Sequence, residues 1–142
     1  MNSRHDEALW TNHKTNRQLS ALRQIDAAID HMNAGSLECA VTLALAAEGQ
    51  LPSSKASYLF NALKARVPNE EMPKFNILRN WLKHHDQNQH DEIEFSDFEV
   101  AIALIRATSK FFATYGQSSE KMEAFIVWCQ SKRLLGASIK ER

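Results

Sequence analysis

In this chain apolar side chains return every three or four residues, and the residues that break helices fall almost entirely between those stretches. The four glycines and three prolines act as punctuation. No alternating apolar and polar run of strand type exceeds four residues. Little besides a helical fold is compatible with that pattern. The expectation is an all-α domain over residues 17–136, an up-and-down bundle of five or six helices. Residues 1–16 read as a polar extension before it, and residues 137–142 as a frayed tail after it.

The first helix is expected over Arg17–Asn33, where Leu19, Leu22, Ile25, Ile29 and Met32 draw a single stripe. Gly35 closes it in the left-handed conformation. Ser36 then caps a second helix, Leu37 to about Gln50, with Glu38 in its first turn. Leu37, Val41, Ala44, Leu45 and Glu48 lie near one side, and the many alanines let a neighbour approach closely. A third helix opens at Pro52 with Ser53 or Ser54 and carries Ala56, Leu59, Phe60, Leu63 and Val67 until Pro68 stops it. A fourth begins near Pro73 with Phe75, Leu78 and Leu82 inward.

Residues 86–94 are polar and acidic and read as a loop. Ser96 and Glu99 then spell a capping box, with Phe95 and Val100 placed as a hydrophobic staple. The fifth helix runs from there to Tyr115 and stops at Gly116. Its apolar residues, from Phe98 to Phe111, Phe112 and Tyr115, cover more than half its circumference. Such a helix should be central, touching several neighbours or a second subunit. Ser118 or Ser119 caps a sixth helix with Met122, Phe125, Ile126 and Cys129 inward, closed by Gly136.

Composition narrows function more than fold. A chain of 142 residues buries about 70% of its unfolded surface and needs no covalent staples. Its 17 basic and 17 acidic side chains cancel. That argues against gripping long nucleic acid by bulk charge, yet leaves room for a local basic site. Cys39 and Cys129 fall in apolar helical patterns and read as small buried thiols in a reducing compartment. The amino-terminal residues lack the apolar core of a signal peptide, and no run approaches the roughly 20 apolar residues of a membrane span. A cytoplasmic protein is expected.

The most informative stretch is Arg79-Asn80-Trp81-Leu82-Lys83-His84. It sets a permanent cation, an amide and an imidazole along the last turns of the fourth helix. Arginine holds a phosphate with two hydrogen bonds, and histidine changes charge most easily near neutral pH. Those residue types support phosphate-ester chemistry without a metal, and they also suit the polar end of an ordinary helix. Five positions separate Arg79 from His84, about 140° around an ideal helix. A bare Arg-to-His spacing is common by chance, so the asparagine directly after Arg79 and the helix-end setting carry the signal.

Arg-Asn-x-x-x-His resembles the motif of the HEPN superfamily (higher eukaryotes and prokaryotes nucleotide-binding domains), R-x4-6-H with a polar residue favoured after the arginine. The alanine-rich segment from Ala40 to Glu48 is similar to the second helix of small bacterial HEPN-like proteins. The long aromatic-ended helix that follows the motif fits them as well. The resemblance covers about Arg17 to Tyr115. It implies a helical bundle that dimerises, bringing two motifs to one cleft, and in active members a metal-independent endoribonuclease. Carried onto this chain, His84 moves a proton to or from the reacting oxygens. Arg79 stabilises charge on the phosphoryl group, and Asn80 orients one of them. Lys83, His85 and Trp81 would add phosphate or RNA contacts. A cognate antitoxin is a partner only through this resemblance. Other members are inactive scaffolds, so the alternative is a noncatalytic dimeric interaction or regulatory module that binds a nucleotide or small anion.

Several neighbours have competing readings. Glu48, near an apolar face, either pairs with Arg79 in support of the site or stays solvated near its helix end. Trp81 either stacks on a base or packs against a neighbouring helix. The His84-His85-Asp86 and His90-Asp91-Glu92 clusters fix no coordination geometry, so no metal and no cofactor is expected. The wide apolar face of the fifth helix is the first candidate for a dimer interface.

Overall fold

The computed structural model describes residues 9–52, 71–84 and 90–132. Among them it contains five helices and no strand: α1 (Arg17–Asn33), α2 (Leu37–Gly49), α3 (Glu71–Lys83), α4 (Asp97–Tyr115) and α5 (Glu120–Ser131). This is the all-α bundle that the periodicity predicts. The expected third helix, from Pro52 to Pro68, lies outside the described residues.

Caps set the helix ends. Asn16 opens α1, its side-chain oxygen accepting from the Leu19 amide at 2.8 Å. The helix closes at a tight turn in which the Ser36 amide donates to the His31 carbonyl at 2.9 Å. Gly35 makes that turn possible at φ +87, a region side chains avoid. Ser36 makes no side-chain cap bond to α2, contrary to expectation: its ψ of 75° departs from the extended conformation of the caps at Asn16, Ser96 and Ser119, although its carbonyl accepts from the Ala40 amide at 3.1 Å. α3 is already helical at Glu71, the first described residue after residue 52, and so includes the expected Pro73 in its first described turn. At α4 the capping box forms as read: the Ser96 amide donates to Glu99 Oε1 at 2.6 Å, and Ser96 Oγ accepts from the Phe98 amide at 3.1 Å. Ser119 caps α5 by accepting from the Met122 amide at 3.1 Å. That helix closes at Ser131 with Lys132 as its cap, before the expected stop at Gly136.

α4 is the hub and packs against each of the other four helices. Ten of its first fifteen residues, Val100 to Ile105, Ala107 to Ser109 and Phe111, are buried with Glu99 counted apart. Each fully buried Ile, Leu or Phe contributes about 1.5–3 kcal/mol, so this face outweighs any single cap. Most of the breadth of α4 is thus buried within the one chain. Phe112 departs from the expectation and stays 52% exposed. The α1 core contacts are Ala21, Ile25, Ala28 and Ile29, with Leu22 and Met32 half-buried beside them.

α4 ends beside the start of α1. Gln18 near the start of α1 meets Gln117 past the end of α4, its Nε2 donating at 3.3 Å. Ser119 donates to Asp26 at 2.6 Å and Lys121 to Asp30 at 2.6 Å, so α5 runs alongside α1. On α2 the buried set is Ala40, Val41, Ala44, Ala47 and Glu48. Cys39 sits just off that face and is exposed, a correction to its reading as a buried thiol, whereas Cys129 is buried.

Candidate functional site

Three helices converge around Phe75 of α3, which is fully buried. The Arg79 guanidinium carbon lies 5.9 Å from the centroid of its ring, one helical turn along. The Arg106 guanidinium of α4 lies 5.7 Å from the same centroid. A cation over an aromatic face gains about 0.5–1 kcal/mol where it remains partly wet. Phe75 therefore orients two arginines that lie far apart in sequence.

The two arginines differ in what else they bind. Arg106 grips Glu48 from α2: its Nε donates to Oε1 at 3.1 Å and its Nη2 to Oε2 at 2.7 Å. Lys110, one turn further along α4, approaches Glu48 Oε2 at 3.0 Å. Glu48 is only 7% exposed. Burial by itself pushes its carboxyl pKa upward, but the hydrogen bonds and charges of Arg106 and Lys110 outweigh it and hold the group below its usual value. Glu48 is thus neither solvated nor paired with Arg79, because α4 brings its two cations closer than α3 brings one. Among the described residues no carboxylate forms an ion pair with Arg79, which is half-buried.

The remaining motif residues line the end of α3. Asn80, Lys83 and His84 are exposed. The His84 amide donates to the Asn80 carbonyl at 3.0 Å, so the helical bonding persists through His84. With that bonding intact, Arg79 and His84 stay about 140° apart around the axis. Trp81 is half-buried, and its Nε1 donates to the His90 carbonyl at 2.9 Å, which joins the end of α3 to the chain entering α4. His85 lies outside the described residues. No cluster among the described residues has the side chains to hold a metal ion.

Beside Trp81 opens a cleft of about 340 Å³, walled by Leu78, Trp81, Leu82, Ile93 and Phe95 and rimmed by Glu38, Asp91 and Glu92. Ile93 and Phe95 also border a larger groove of about 830 Å³ that reaches Lys74 and Ile77 on α3 and Glu99 on α4. Neither is bordered by Arg79 or His84.

Sequence reasoning missed Arg106 and Lys110. Two cations four residues apart on the otherwise apolar α4 were the available signal, since a helix puts such a pair on one face. The acidic rim was not readable, because it needs α2 beside residues 91–95. Compared with known protein families, curated proteins and solved structures, the chain matches none. No described helix is long and apolar enough to cross a membrane.

Proposed function

We propose that this chain is a HEPN-like helical protein that engages the phosphates of RNA or of a nucleotide through Arg79 and His84, acting as a homodimer. The observation that carries the reading is the state of Arg79. Phe75 orients its guanidinium, and no carboxylate among the described residues neutralises it, whereas Arg106 and Lys110 are committed to Glu48. An oriented, uncommitted arginine beside exposed Lys83 and His84 suits a phosphate group.

Within one chain the 140° separation leaves Arg79 and His84 facing different ways. Cleavage therefore needs Arg79 of one copy beside His84 of another. His84 then accepts the 2′-hydroxyl proton or protonates the leaving oxygen, while Arg79 stabilises charge on the phosphoryl oxygens and Asn80 orients either group. A cognate antitoxin enters only through the HEPN resemblance.

A second reading, a noncatalytic interaction module, is favoured by the acidic rim of the cleft beside Trp81, which repels a nucleic-acid backbone. Incubation of purified protein with single-stranded RNA in EDTA separates the two. Cleavage lost in both Arg79→Ala and His84→Ala supports the nuclease, and cleavage unchanged in both refutes the roles assigned. Nucleotide binding without cleavage, weakened by Arg79→Ala, supports the module.

A further inference from the structure

The cleft between the end of α3, the start of α2 and residues 91–95 is walled by apolar side chains, yet among the described residues its rim carries three acids and no cation. We propose that it docks a short basic segment of a partner protein, one that carries a bulky apolar side chain between lysines or arginines. The proposal involves neither Arg79 nor His84, so it stands or falls apart from the phosphate site.

The floor supplies the apolar half of the recognition. Leu78 is buried in the core, and Leu82, Ile93 and Phe95 are half-buried against it, so these four need little ordering to receive a ligand. The indole of Trp81 is fixed by its bond to the His90 carbonyl, which leaves the ring as a rigid wall. A volume of about 340 Å³ suits one or two side chains, not a folded domain. Apolar contact of this kind gives affinity but little direction.

Charge supplies the direction. Glu38, Asp91 and Glu92 are all exposed and form no ion pair among the described residues. Glu38 lies in the first turn of α2 and so projects from its N-terminal end. Three unpaired carboxylates around an apolar floor complement a ligand with cations flanking an apolar side chain. The same rim repels an acidic peptide and a nucleic acid.

The test uses the full chain, labelled with nitrogen-15, and follows the indole Nε1–H resonance of Trp81 by NMR. The probe is a synthetic peptide in which lysines flank leucines, alongside a version with glutamate for lysine and a version with glycine for leucine. The lysine–leucine peptide should shift the Trp81 resonance saturably, and 0.5 M salt should weaken the effect. Loss of leucine, or the combined substitution Glu38→Gln, Asp91→Asn and Glu92→Gln, should each weaken binding about tenfold, given the modest worth of each exposed charge pair. The three acids are exposed, so the combined variant should fold. Equal binding of the glutamate peptide, saturable binding unchanged by the triple substitution, the same shift with an RNA oligonucleotide, or no shift at millimolar peptide would each overturn the proposal.

Discussion

Glu48 and Arg106 stand 58 residues apart in the chain and meet as a two-pronged ion pair, with the shorter contact at 2.7 Å. The pair joins the end of α2 to the middle of α4, and Lys110 adds a second cation to the same carboxylate. Removing the carboxylate strands two cations whose side chains are 20% and 22% exposed. Because both reach water, the loss is smaller than for a sealed pair. Glu48→Gln should destabilise the protein by about 2 kcal/mol, measured by urea unfolding at pH 7. An unchanged midpoint would show the cluster to be energetically idle.

The same cluster gives a pH dependence with a defined sign. The folded-state pKa of Glu48 lies below its ordinary value of 4.5, so between the two the unfolded chain binds the extra proton. Stabilisation from Glu48 is therefore complete above about pH 5 and is lost as pH falls through the folded pKa. Unfolding of the wild type and of Glu48→Gln, compared from pH 7 down to 3, should converge at the acid end. A gap that stayed constant over that range would contradict the depressed pKa.

The two cysteines should react at different rates. Cys39 is exposed on α2, whereas Cys129 is buried between helices and burial pushes its thiol up to about 12. Only thiolate reacts quickly with a disulfide reagent. Native protein at pH 8 should titrate one thiol rapidly, the second appearing only in denaturant. Two fast thiols would place Cys129 at the surface.

At the start of α4, Glu99 is 3% exposed and accepts from both the backbone and the hydroxyl of Ser96. Ser96→Ala removes the side-chain cap of the Phe98 amide and one partner of a buried carboxylate. A loss of about 1 kcal/mol is expected by thermal or chemical unfolding. The double variant with Glu99→Gln should lose less than the sum of the single variants, since the two residues act as one unit.

Much of the bundle was readable because helix formation is a local matter. The stripe on α1, the capping box at Ser96, the cap at Ser119 and the stop at Gly116 each depend on residues within about four positions. Departures came where two local signals competed or where a face had to be chosen. Ser36 stands between two helices and its backbone bonds to both, in a conformation that does not direct its hydroxyl to cap the second. Cys39 and Phe112 lie at the margins of apolar stripes, where a rotation of a few tens of degrees decides between core and water.

The candidate site divides along the same line. Arg79, Asn80, Trp81, Lys83 and His84 belong to one helix end, and their order along the chain already placed them together. The sequence by itself determined the described helices, the caps at Ser96 and Ser119, the stop at Gly116 and the clustering of a cation and an imidazole at the close of α3. Only the tertiary structure decided that Glu48 belongs to Arg106 and Lys110, that Phe75 serves two arginines, and that Glu38 rims a cleft with Asp91 and Glu92. The physical reason is range. Backbone hydrogen bonds and caps are satisfied within a turn or two, whereas the partner of a buried charge is whichever group the packing of whole helices carries to it.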